Sequence, residues 1–89
     1  MKKTEDQRLR AAILEVINSQ IKDNEPPETK ETLDRLQQEG CSREEALKLI
    51  GYVVASEVFT VLKENRPYDN EKYISALKAL PKLPWEKEG

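Results

Sequence analysis

The chain has 89 residues, with 15 Lys+Arg against 17 Asp+Glu and a formal net charge of −2. That gives room for one domain with one modest core. The mixed, slightly acidic surface argues against nucleic acid, whose phosphates require a basic face. There is no histidine, and Cys41 is the single cysteine, which excludes histidine-dependent triads, histidine ligation of zinc, an internal disulfide and an all-cysteine metal site.

The first helix is expected to start at Thr4, with Thr4 and Gln7 in capping-box register. Leu9, Ile13, Val16, Ile17, Gln20 and Ile21 recur at helical spacing and predict its inner face. It fades near Lys22-Asp23-Asn24, where Pro26 and Pro27 stop it. Pro27 then suits the first position of a second helix, because its missing N–H costs nothing there. Leu33 and Leu36 form the thin apolar edge of that helix, with Thr29 and Thr32 beside them. Gly40 reads as the left-handed residue that ends it.

The third helix carries the clearest signal. Ser42 and Glu45 form a capping box, and Cys41 with Ala46 occupy hydrophobic-staple positions. Leu47, Ile50, Gly51, Val54, Val58, Val61 and Leu62 trace one stripe, widened by Ala46, Leu49, Val53 and Phe59. Only Lys48, Tyr52, Ser56 and Lys63 keep a narrow polar strip. A helix apolar on most sides is one that others pack around. Gly51 inside it costs about 1 kcal/mol relative to Ala, which a close helix crossing would justify. Asn65-Arg66-Pro67 ends this helix. Asp69 can cap a fourth, with Tyr68 and Tyr73 placed as a staple. Tyr73, Ile74, Leu77 and Leu80 give its inner face, and Pro81 terminates it. The expectation is an all-α, four-helix compact bundle with a central long third helix. Residues 1–81 form a single helical domain and residues 82–89 a short C-terminal tail.

The longest mostly apolar stretch, from Ala46 to Leu62, is interrupted by Lys48, Tyr52, Ser56, Glu57 and Thr60. It is too short and too polar to span a bilayer. The basic Met1-Lys2-Lys3 start precedes no apolar run, so no secretion signal is expected. The expected location is cytoplasmic, with neither membrane nor nucleic acid as partner.

Candidate functional positions each have a plainer structural reading. Glu57 lies among Val53, Val54, Val58 and Val61, and a partly buried carboxylate is a candidate acid or base. Its structural reading is a salt bridge or hydrogen bond to Arg35, Lys72 or Asn18. Cys41 precedes a helix N-terminus, where a thiolate is stabilised. Glu44 and Glu45 oppose that charge, and the staple position already explains an apolar residue there. Asn18, Gln20, Asp23, Asn24, Glu25 and Glu28 gather oxygens around the first turn, but without calcium-loop spacing, and helix capping accounts for them. Trp85, in the tail that Pro81 and Pro84 punctuate, is either an anchor for a partner or a plug for the bundle. Gly40, Gly51 and Gly89 form no phosphate loop. No residue pattern is specific for a reaction, so no catalytic residue, metal or cofactor is expected.

Two resemblances add to this reading. The run from Leu33 to Ala46, with Gly40-Cys41-Ser42 at its centre, resembles the first turn of ubiquitin-associated domains, with Glu39 and Cys41 where those carry a Met and an aromatic. That resemblance implies peptide recognition at the Gly40-Cys41 loop. From Ile17 to Pro81 the chain is similar to short prokaryotic helical proteins of families without known function. This likeness rests on Asn18-x-Gln20, Asp23-x-x-Pro26-Pro27-Glu28, Arg35-Leu36, Gly40-x-Ser42, Glu45-Ala46 and Pro67-Tyr68-Asp69 ahead of Tyr73. It implies an autonomous helical domain and no activity.

The leading expectation is a non-catalytic module that binds another protein or a second copy of itself, possible as a dimer, with Trp85 and Tyr68 as interface anchors. One alternative is a small enzyme or metal-binding protein built on Glu57 with Asn18, Gln20 or Tyr52. The other is the ubiquitin-associated type of peptide binding.

Overall fold

The computed structural model describes residues 2–84, and side chains from residue 7 onward. Four helices run in order: α1 Lys2–Asp23, α2 Pro27–Gln38, α3 Arg43–Glu64 and α4 Asn70–Ala79, with no strand among the described residues. This is an all-α four-helix bundle. Trp85 and the residues after it lie outside the described residues.

Local chemistry sets most of the boundaries. Ser42 Oγ accepts from the Glu45 N–H at 3.0 Å, and Glu45 Oε1 accepts from the Ser42 N–H at 3.0 Å. Both halves of the capping box are therefore made. Replacing Ser42 with alanine is expected to remove about 1 kcal/mol of stability, read as a lower urea midpoint with an unchanged slope. Asp69 caps α4 by accepting from the Lys72 N–H at 3.2 Å, and the Tyr68 and Tyr73 rings close the staple with centroids 6.0 Å apart.

Three helices end on a left-handed residue: Asn24, Gly40 and Asn65, the glycine at φ +112°. At the end of α1 the Glu25 N–H reaches the Gln20 carbonyl at 3.0 Å, and at the end of α2 the Cys41 N–H reaches Leu36 at 3.0 Å. This closure satisfies carbonyls that a helix end leaves orphaned. The sequence places Asn24 and Asn65 at these ends, and the structure adds that both take the left-handed conformation expected there only of Gly40.

The start of α1 is a correction. The helix begins at Lys2, so Thr4 lies within it rather than ahead of it. Strong helix formers such as Lys, Glu and Gln extend the helix without that cap. The Thr4 half of the expected capping box falls outside the described side chains.

The core is Ile17, Leu33, Leu36, Ala46, Ile50, Val53, Val54, Tyr73, Leu77 and Leu80. Burial of such side chains at about 25 cal/mol per Å2 outweighs the few tenths of a kcal/mol by which valines lower helix propensity. Helix α3 touches every other helix, but so does the shorter α2. The centre is thus a pair, with α1 and α4 as its flanks. Gly51 marks the α1–α3 crossing: a Cβ there would sit 3.3 Å from Ile13 Cγ2. Leu83 packs on the core from beyond α4.

The apolar stripes run further along the sequence than the packing does. Leu9 and Val16 on α1, and Val58, Phe59 and Leu62 on α3, are exposed. α2 and α4, of 12 and 10 residues, are too short to cover two 22-residue helices along their whole length, and α1 and α3 meet where Ile13 and Ile17 face Gly51.

Candidate functional site

Glu57 is the one charged residue of the described core, only 8% exposed. It stands on α3 where that helix faces the 65–69 loop and the start of α4. Two adjoining recesses, of about 330 and 220 Å3, open there and share Glu57, Thr60 and Lys72. The larger also draws Arg66, Tyr68 and Asp69 to its walls, and the smaller draws in Val53, Ala76 and Pro84.

The positions expected to accompany Glu57 lie elsewhere. Neither Asn18, Gln20 nor Tyr52 lines either recess. Asn18 and Tyr52 are exposed. Gln20 instead ties three helices: its Oε1 accepts from Thr29 Oγ1 at 2.7 Å and from Tyr73 Oη at 2.8 Å. Thr29 and Tyr73 are almost wholly buried, and a buried polar group is costly unless hydrogen-bonded. This triad is therefore structural in its chemistry. The enzyme reading loses the convergence of side chains it required.

The partners named for Glu57 are also engaged differently. Arg35 pairs with Glu39 at 3.1 Å and donates to the Leu77 carbonyl at 3.2 Å, placing a cation at the C-terminal end of α4. Lys72 lines both recesses, yet no ion pair to Glu57 forms among the described residues. Arg66 is held by Glu64 at 2.7 Å.

Tyr68, named as an interface anchor, forms part of this site while keeping half its surface exposed. Burial pushes its phenol up to about 12, and Tyr73, Glu57 and Asp69 add to the shift. Burial also raises the Tyr73 phenol, against the lowering effect of its bonds to Thr29 and Gln20. A tyrosine in an unfolded chain ionises near 10. Above that pH the unfolded state releases phenolic protons that the folded state retains. Stability is thus complete below pH 10 and lost as the pH climbs toward 12. Urea midpoints should fall between pH 9 and 11.5, and Tyr73→Phe should flatten that fall. An equally steep decline in the variant would show that Tyr73 does not contribute.

Cys41 is half-buried against the core beside buried Ala46. Gly40 is exposed, but the exposed large apolar residues lie elsewhere, at Leu9, Leu14, Val16, Tyr52, Val58, Phe59, Leu62 and Tyr68. The apolar surface that peptide binding at the Gly40-Cys41 loop requires is on other helices. Asn24, in the oxygen-rich first turn, closes α1, and no group of three or more Cys, Asp or Glu suited to a metal forms among the described residues. No described helix is long and apolar enough to cross a membrane.

Thr60 carries no distinguishing signal in the sequence, Asp69 reads there only as a helix cap and Lys72 only as a possible partner of Glu57. They come from different elements and meet only when α4 folds back against α3. Compared with models of known protein families, with curated proteins and with solved structures, the chain matches none, and the chemistry of the site rests on its own residues.

Proposed function

We propose that this chain is a non-catalytic helical module that associates with protein through the outer face of the second half of α3, in its simplest form with a second copy of itself. One observation carries the reading. Val58, Phe59 and Leu62 are 53%, 64% and 76% exposed within a five-residue stretch of a helix whose earlier turns are core. They are neighbours on one side of the helix, and the one charged group recorded against them among the described residues is Lys63 Nζ, over the Phe59 ring at 5.8 Å from its centroid. Grouped exposed apolar residues mark association surfaces, whereas scattered ones need no explanation. A dimer partner, and a cytoplasmic setting in a prokaryotic cell, belong to this proposal.

Sedimentation equilibrium tests it. The parent chain should show a mass above 10.3 kDa that grows with concentration. The double variant Phe59→Ser/Leu62→Ser should remain at the monomer mass with its thermal stability nearly intact. A parent chain that stays monomeric into the millimolar range would remove self-association.

A further inference from the structure

The recess between α3 and α4 has an uneven division of hydrogen-bond donors and acceptors. Glu57, more than nine-tenths buried, lines both of its compartments and makes no hydrogen bond or ion pair among the described residues. No described side-chain polar atom is both sealed from solvent and unpartnered, so the carboxylate oxygens keep contact with the recess. Thr60 has committed its hydroxyl hydrogen to the Ser56 carbonyl at 3.0 Å. Tyr68 has committed its own to Asn70 Oδ1 at 3.2 Å. Four oxygens from three side chains on the wall of one cavity therefore offer lone pairs and no hydrogens.

The charge balance points the same way. Arg66 is taken up by Glu64 at 2.7 Å, and Lys72 stays beyond ion-pair distance of Glu57. A buried carboxylate without a counter-charge is expensive to keep. Burial is the main cause that raises the Tyr68 phenol, and the charges of Glu57 and Asp69 beside it add to the rise.

We propose that this recess is a binding site for a primary alkylammonium group, with the Glu57 carboxylate as its ion partner and the Thr60 and Tyr68 oxygens as further acceptors. An ammonium brings three donors and one positive charge to a wall where the carboxylates of Glu57, Asp69 and Glu71 outnumber the cations of Arg66 and Lys72 and the Thr60 and Tyr68 oxygens accept. A volume of about 330 Å3 takes such a head group with a short alkyl chain. The group is carried either by a small amine or by a lysine side chain of another protein. The site is independent of the association surface, because Glu57, Thr60 and Val61 lie on a different side of α3 from Val58, Phe59 and Leu62.

Amide-detected NMR titration of the whole chain tests this with n-butylammonium. n-Butanol serves as a neutral analogue of matched length, and tetramethylammonium as a cation without N–H donors. Saturable shifts at Glu57, Thr60 and Tyr68 are expected with butylammonium, with affinity at least about tenfold above that of either control and tenfold above that of Glu57→Gln. Lys72→Met removes the competing ammonium that the wall itself carries and should tighten binding. If Glu57→Gln fails to fold by circular dichroism, Tyr68→Phe, which deletes one acceptor, should still weaken binding several-fold. Stronger binding of a capped lysine tripeptide than of butylammonium assigns the group to a protein source, and the reverse order assigns it to a free amine. The proposal is overturned if butylammonium gives no saturable shift, if either control binds as well, if a folded Glu57→Gln binds equally, or if Lys72→Met abolishes binding.

Discussion

Tyr73→Ala is expected to cost about 3–5 kcal/mol, the range for removing a buried aromatic ring. A domain of this size is stable by only about 5–15 kcal/mol, so the variant should be largely unfolded at moderate urea. The ring is 1% exposed and lies in the core with Leu77 and Leu80. Its hydroxyl lies 2.8 Å from Gln20 Oε1. That bond joins α1 to α4, two helices whose backbones make no close approach among the described residues. Tyr73→Phe separates the two contributions. It keeps the ring and removes the donor, while Thr29 still donates to Gln20 at 2.7 Å. The expected loss for Phe is about 1 kcal/mol, the net value of one such bond. Urea unfolding of both variants checks the pair. A phenylalanine variant as damaged as the alanine variant would place the energy in the polar triad rather than in packing.

The second large effect compares two residues of one helix. Ile50→Ala should cost about 2–5 kcal/mol, because Ile50 is wholly buried between α3 and its neighbours and its removal leaves a cavity. Leu62→Ala should change stability by no more than about 0.5 kcal/mol, because Leu62 is 76% exposed in the monomer. The sequence places both on the same apolar stripe. If the two truncations cost the same in a chain shown to be monomeric, the second half of α3 is packed in a way the present fold excludes. If Leu62→Ala matters only at high protein concentration, its stability contribution comes from association.

The comparison of Ile50 with Leu62 shows where reading the chain alone stops. Periodicity reports that a residue lies on the apolar side of a helix. It does not report how far along that side another helix extends. Burial is decided by the lengths and crossing of the partners. α2 and α4 have 12 and 10 residues against 22 for α3. The same limit applies to Leu9 and Val16 on α1. It applies also to α2, whose sparse Leu33 and Leu36 disguised a helix that touches all the others.

Interactions between sequence neighbours were legible, because their geometry is local. Ser42 with Glu45, Asp69 with Lys72, Pro27 at the first position of α2 and Gly40 beyond its end are all separated by a few residues. Their bonds need only a helix to form. Gly51 was legible as an anomaly, whose cause, an Ile13 side chain that a Cβ at Gly51 would meet at 3.3 Å, comes from another helix.

The sequence by itself therefore determined the four helices, their ends apart from the start of α1, and the absence of histidine chemistry, since these follow from short-range bonding and composition. Only the tertiary structure decided that Gln20 serves the core, that Glu57 opens onto a recess with Thr60 and Tyr68, and that the end of α3 stays uncovered. Each of these depends on the distance between residues far apart in the chain, which helical periodicity does not encode.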